Sequence, residues 1–219
     1  MHWQEESDGF AEFVIEGLVL GNTAICFAKV CDRVDQLFAE ERGELSQMAR
    51  KRKAAFSTGR WCAHRAQEAL GGTSSAIKRV KRVPLWPAGI SGSITHTDVY
   101  AGAVVSSDQA VGVDLEQLDR LHDGLHKTLF TEKERLLLDE YRPGADTIMF
   151  SAKEAGYKAV FPIGQAFIGF HEAEIALDED SQTFVIDYVG NHEPNNVFSR
   201  GVGYWRIAYN HVFTLFVIG

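Results

Sequence analysis

From Leu45 to Leu70 the apolar or small residues Leu45, Met48, Ala49, Phe56, Gly59, Ala63, Ala66 and Leu70 return every three or four positions. That is the period of a helix with one covered side, and Gly71-Gly72 supplies its stop. Segments of a different kind surround it. Residues 12–30 read as two short strands about the turn-forming pair Gly21-Asn22. Tyr100–Ser106 and Ala110–Leu115 read as a hairpin about Ser107-Asp108-Gln109. A second helical region follows. Thr131 and Glu134 have capping-box spacing ahead of Leu136, Leu137 and Leu138, and Asp146 caps a further helix from Thr147 to about Val160, ended by Pro162 and Gly164. Strand formers then fill Ala173–Leu177, Thr183–Val189, Trp205–Tyr209 and Phe213–Ile218. The order predicts an α+β protein of two similar halves, 1–108 and 109–219. The halves agree in element order, with no repeat at the level of residues.

Composition narrows the classes. A chain of 219 residues with 45% hydrophobic and 11% aromatic residues can bury a core, which argues against disorder. No run approaches the roughly 20 apolar residues of a membrane span. The start, Met1-His2-Trp3-Gln4-Glu5-Glu6, is acidic where a secretory signal is basic and then apolar. Three cysteines, Cys26, Cys31 and Cys62, have no CxxC spacing and suit reduced thiols in the cytoplasm. Net charge is −8, yet Arg50–Arg82 holds ten basic residues against the single acid Glu68. That segment is +9 and the remainder therefore −17, a pattern of one local anion site rather than a nucleic-acid coat.

Three groups of residues suggest chemistry. In Gly112-Val113-Asp114-Leu115-Glu116, strand alternation sets Asp114 and Glu116 on one face and Val113 and Leu115 on the other. Paired carboxylates suit Mg²⁺, which prefers oxygen and is often completed by substrate phosphate. A solvated strand end is the alternative. In Ser151-Ala152-Lys153-Glu154-Ala155-Gly156-Tyr157-Lys158, Glu154 and Lys158 lie one helical turn apart, with Phe150 a turn earlier. Glu154 could be a third metal-side carboxylate or a general base, and Lys153 and Lys158 could neutralise phosphate. The alternative is an exposed ion pair worth a few tenths of a kcal/mol.

The third group is Gly89-Ile90-Ser91-Gly92-Ser93-Ile94-Thr95-His96-Thr97, read as a Gly/Ser-rich loop whose N–H groups and His96 suit an oxyanion. It lacks the GxxxxGK[ST] spacing of a nucleotide loop. In the basic segment, Lys51, Lys53, Arg79, Lys81 and Arg82 read as solvated charge. Arg52 and Arg60 flank Phe56 by four residues each way, and a guanidinium suits phosphate. Cys62 and His64 have no second pair to complete a zinc site.

Four blocks occur in one order over roughly residues 45–175: Phe56-Ser57-Thr58-Gly59-Arg60-Trp61-Cys62-Ala63, Trp86 to His96, Gly112 to Glu116, and Lys153 to Lys158. Together they resemble the Sfp-type 4'-phosphopantetheinyl transferases, particularly the enterobactin-type branch that activates siderophore synthetases. The resemblance implies a monomer of two pseudo-symmetric α+β halves with coenzyme A in the cleft between them. It implies that Asp114, Glu116 and Glu154 hold Mg²⁺ (with Mn²⁺ as a substitute) against the pyrophosphate. Asp114, Glu154 and Lys158 become the catalytic residues, with Lys158 on a phosphate and Lys153 nearby. Ser93 and His96 would contact phosphate, and Arg52, Arg60 and Lys78 the 3'-phosphate end. The implied partners are coenzyme A and an apo carrier of peptidyl, aryl or acyl type, without nucleic acid or membrane. Phe150 departs from the tryptophan of many relatives. A relative that binds coenzyme A or a carrier without turnover, and a nucleic-acid binder using residues 50–82, are the alternatives.

Overall fold

The computed structural model describes residues 4–6, 10–14, 23–80, 83–164, 167–191 and 195–219. Its chain divides into two units, Met1–Val111 and Gly112–Gly219. The Gly21-Asn22 turn, Lys81 and Arg82 lie outside the described residues.

The first unit contains β1 (Gln4–Glu6), β2 (Phe10–Val14), β3 (Thr23–Lys29), α1 (Ala39–Arg42), α2 (Arg50–Ala69), β4 (Lys78–Val80), β5 (Val83–Leu85), β6 (Ser91–His96) and β7 (Tyr100–Ser106). Its sheet runs β1-β2-β3-β7-β6, and β4 pairs with β5 in a separate hairpin. Small residues let α2 lie flat on this sheet. Cys62, Ala63 and Ala66 pack against Cys26, Ala28 and Ala103 in the core. Gly59 extends the contact, since a Cβ there would stand 2.8 Å from Ile94 Cγ2.

The sequence placed the start of this helix too early. Gly43–Leu45 form a tight 3₁₀ turn and Ala49 is extended (φ −64°, ψ 153°), so α2 begins at Arg50. Leu45 is buried all the same, which is why it entered the apolar period. The C-terminal stop is as expected, with Gly71 at φ 81°.

The second unit continues from β8 (Ala110–Gln117), which begins just before the division, through α3 (His126–Leu129), α4 (Glu132–Leu137), α5 (Ala145–Gly164), β9 (Ala173–Asp178), β10 (Thr183–Tyr188), α6 (Asn195–Phe198), β11 (Gly201–Ala208) and β12 (His211–Ile218). Its sheet runs β8-β12-β11-β10-β9. The expected β7–β8 hairpin is therefore wrong: β7 pairs with β3 and β6, whereas β8 pairs with β12. The Ser106 hydroxyl accepts from the Gln109 N–H and donates to Asp108, forming a local turn in place of a strand-to-strand register.

The capping box at Thr131 and Glu134 is present in both directions. Helix α5 is longer than expected, starting at Ala145 and running two residues past Pro162. Proline removes one helix hydrogen bond, and here that loss falls in the last turn. With that start, Asp146 is the second residue of the helix and not its cap; it accepts from Thr147 N–H at 2.7 Å and lies 3.1 Å from His126 Nε2.

Candidate active site

Gly112 decides how close α5 comes to β8. A Cβ at that position would fall 2.0 Å from Ala155 O and 2.6 Å from Ala159 N, inside the helix backbone. Only glycine permits this approach. It brings the side of α5 that carries Ser151, Glu154 and Lys158 against Asp114. Those three recur at helical intervals of three and four, so they share that side.

Lys158 Nζ donates to Asp114 Oδ1 at 2.6 Å and to Val113 O at 3.2 Å. The Lys158 side chain is 27% exposed and that of Asp114 6%. Ser151 donates to the other oxygen, Asp114 Oδ2, at 2.9 Å. Thr214, on the neighbouring strand β12, lies 2.8 Å from the Ser151 hydroxyl and donates to the Ser151 carbonyl at 2.9 Å. Asp114 is thus oriented from both sides. Lys158 has turned to Asp114, so the surface Glu154–Lys158 pair that the sequence left open is not what forms.

Glu116 and Glu154 remain as half-buried carboxylates. Glu116 is pushed up to about 7, first by burial and then by the Asp114 charge, with Arg120 and Lys158 opposing. Arg120 reaches Glu116 Oε2 at 3.3 Å from an exposed position. Burial and Asp114 also raise Glu154, against Lys158. Among the described residues the Glu154 side chain has no hydrogen-bond partner. Three acids against the Lys158 ammonium and the exposed Arg120 guanidinium still leave negative charge in excess, and oxygen donors of this kind fit a hard divalent cation. As they stand, no three acid, imidazole or thiol groups among the described residues are drawn together tightly enough to hold a metal.

Lys153 does not join this group. It is 4% exposed, and its ammonium donates to Glu134 Oε2 at 2.6 Å, Phe170 O at 2.7 Å and Leu129 O at 2.9 Å. All three of its protons are then used, which leaves none for a phosphate. Burial lowers its pKa while Glu134 acts to raise it.

The first unit holds the remaining candidates. Arg52 is exposed near the start of α2. Arg60, on the same side of that helix, is 3% exposed with its guanidinium carbon 5.0 Å from the Phe56 ring centre. Lys78 is exposed on β4, across from Leu85. The Gly/Ser-rich segment is not a loop from Ser91 to His96 but strand β6, paired with β7. Alternation consequently separates Ser93 from His96: Ser93 is 5% exposed on one face, and His96 is exposed on the face shared with Gly92 and Ile94. The close contact of Ile94 with Gly59 shows that this second face is the one against α2.

Sequence reasoning missed Ser151 and Thr214. Spacing alone would have found Ser151, which lies three residues before Glu154 and seven before Lys158. Nothing local marks Thr214, because its place beside Ser151 depends on the pairing of β12 with β8.

Two family models match the chain. Residues 40–106 match the 4'-phosphopantetheinyl transferase N-terminal domain, and residues 110–209 the 4'-phosphopantetheinyl transferase superfamily. The 4'-phosphopantetheinyl transferase PptT of Mycobacterium tuberculosis is 39% identical over 65% of this chain and 66% of its own length. The 4'-phosphopantetheinyl transferase Svp of Streptomyces mobaraensis is 38% identical over 70% of this chain and 66% of its own. The match thus spans just under two thirds of these two relatives. Enterobactin synthase component D of Escherichia coli O157:H7 is 31% identical over 86% of this chain and 87% of its own length.

Proposed function

The chain belongs to the 4'-phosphopantetheinyl transferase superfamily, and on that premise we propose that it transfers the phosphopantetheine arm of coenzyme A to a serine of an apo carrier protein. The observation that carries this reading is the carboxylate group Asp114, Glu116 and Glu154 beside Lys158. It offers oxygen donors, an ammonium and an unpartnered base on adjoining elements. Asp114, Glu116 and Glu154 are the residues that would hold Mg²⁺, or Mn²⁺ in its place. Bound there, the ion supplies charge neutralisation at the pyrophosphate.

The protein's own residues do the rest. Lys158 holds Asp114 in place and offers its remaining proton to a phosphate oxygen. Glu154 takes the proton of the carrier serine as its oxygen bonds to the β-phosphorus. The bond from that phosphorus to the bridging oxygen breaks, and 3',5'-adenosine bisphosphate leaves. A carboxyl raised by burial is a better base near neutral pH than a solvated one. Such a transfer depends on positioning and charge more than on covalent help.

In the first unit, Arg52, Arg60 and Lys78 would meet the 3'-phosphate end of coenzyme A, and Ser93 and His96 a phosphate; Arg52, Lys78 and His96 are exposed, and Arg60 and Ser93 buried. By the chain's resemblance to the siderophore branch, a peptidyl carrier is the first candidate, with fatty-acid and polyketide carriers as the alternatives. The chain acts as a monomer in the cytoplasm, a compartment that suits its free cysteines Cys26, Cys31 and Cys62. No described helix is long and apolar enough to cross a membrane.

The test is to mix the protein with coenzyme A, Mg²⁺ and apo carriers of peptidyl, aryl and acyl type, and to weigh each carrier by mass spectrometry. Gain of a phosphopantetheine on at least one carrier is expected. No gain on any of them would overturn the reading.

A further inference from the structure

The structure assigns Lys153 and Glu134 a role as a positioning pair, which sets the Phe170 ring against Phe150, one helical turn before Glu154 on α5. This rests on the transferase reading above and adds to it two residues that bind neither phosphate nor metal.

The pair is buried almost completely, with side-chain exposures of 3% for Lys153 and 1% for Glu134. Its bonds reach four separate places. Lys153 holds the carbonyls of Leu129, at the end of α3, and Phe170, in the turn before β9. Glu134 accepts from Thr131 N–H at 2.9 Å, at the start of α4, and from Ile175 N–H at 2.8 Å, inside β9. The 2.6 Å contact between the two side chains joins these sets to α5. The Lys153 ammonium also stands 5.4 Å from the Phe130 ring centre.

Phe170 connects the pair to the candidate site. While its carbonyl is gripped by Lys153, its ring packs 5.7 Å from that of Phe150. Phe150 precedes Glu154 by one helical turn and so lies on the same side of α5. The ammonium therefore fixes, through a main-chain bond, the ring that packs on Phe150 one helical turn before Glu154. Stability alone does not call for an ion pair here, because apolar residues of similar size often replace a buried pair without loss. A fixed geometry does call for it, because three directed bonds from one ammonium define where the Phe170 carbonyl sits.

The experiment removes both charges together, with Lys153→Met and Glu134→Gln, so that no charge is left buried alone and a side-chain oxygen remains for Ile175. Thermal melting, coenzyme A binding by titration calorimetry, and kcat are measured well below the melting temperature. Coenzyme A affinity should stay within roughly threefold while kcat falls by about tenfold or more. Phe170→Ala should give a similar loss of kcat. Combining it with the pair should add little, since both act through one ring. A kcat equal to that of the unaltered chain overturns the proposal, and so do losses that multiply. Coenzyme A binding about tenfold weaker with kcat preserved would make Lys153 an anion ligand instead. Should the paired variant not fold, Phe170→Ala decides: an unchanged kcat sinks the role, and a loss rescued by Phe170→Leu supports it. An unaltered chain without transferase activity sinks the transferase reading, and this role with it. An active chain with indifferent variants sinks the role alone.

Discussion

The two units follow one plan down to a buried carboxylate, and they part where chemistry begins. In each, a short helix carries a glutamate that takes the N–H three residues before it and a second N–H beyond the long helix. Glu41 accepts from Phe38 and Ile77, and Glu134 from Thr131 and Ile175. A basic residue on a 20-residue helix answers each one: His64 at 2.9 Å in the first unit and Lys153 at 2.6 Å in the second. The strand before the short helix lies next to the last strand of its unit, β3 beside β7 and β8 beside β12. The repeat that the sequence showed only in element order thus exists in side chains.

The difference lies on the sheet-facing side of the long helix. Helix α2 presents Gly59, Cys62, Ala63 and Ala66 to an apolar core, whereas α5 presents Ser151, Glu154 and Lys158 to the acidic strand β8. A shared scaffold can therefore hold an inert packing face in one unit and a charged site in the other. Both buried glutamates hold the shared scaffold, and in the second unit that scaffold also fixes Phe170 through Lys153.

If chemistry is confined to the second unit, the largest effects should come from its carboxylates. Asp114→Asn or Glu154→Gln is expected to lower the transfer rate by about 10³-fold with the fold retained, measured by carrier mass gain alongside circular dichroism. Substitutions in the first unit that matched this loss would break the comparison.

Close packing gives the next contrast. Gly112→Ala forces a methyl into the α5 backbone, which must shift, and should cost about 3 kcal/mol in denaturant unfolding. Gly59→Ala meets the stiff Cγ2 branch of Ile94 rather than backbone and gains helix propensity, so a smaller cost of about 1 to 2 kcal/mol is expected. Equal costs would show that both helices are equally constrained.

The units should also answer pH in opposite senses. The folded pKa of Glu116 is raised above 4.5 to about 7, so the folded state binds the extra proton in that window. Without divalent cation, the melting temperature should fall as pH rises from about 4.5 to about 7. Mg²⁺ or Glu116→Gln should reduce that fall. Glu41 is the reverse. Burial works to raise it, but hydrogen bonds from His64, Ile77 and Phe38 leave it lowered. Its stability is present above the unfolded value and lost as pH drops through the folded one. Glu41→Gln should flatten the acid limb of the melting curve, and a limb of unchanged slope would remove Glu41 as its source.

The smallest effect should come from the exposed cations. Lys78→Ala is expected to weaken coenzyme A binding by about threefold to fivefold and to reduce the salt dependence of that binding. It should leave kcat nearly unchanged.

Much of this was legible without coordinates because the signals are local. The capping box at Thr131 and Glu134, the stop at Gly71, the strands from Ala173 onward and the Asp114/Glu116 and Glu154/Lys158 spacings all follow from neighbours within a few residues. Misreadings came where a distant partner decides. The Gly/Ser-rich segment looks like a loop, yet β7 supplies the hydrogen bonds that make it β6. Ala110–Leu115 has the pattern of a hairpin arm, yet β12 outcompetes β7 for it.

By itself the sequence determined that the protein is α+β in two similar parts, that its acids and lysines recur at strand and helix spacing, and which family it resembles. Backbone period and local hydrogen bonding are written within a few residues, so they can be read that way. Only the tertiary structure decided that Lys158 serves Asp114, that Ser151 and Thr214 orient it, and that Lys153 turns inward to Glu134. The reason is directional. Neighbouring residues on a helix point about 100° apart, and whether each meets a carboxylate, a carbonyl or solvent depends on chain brought in from 19 to 63 residues away.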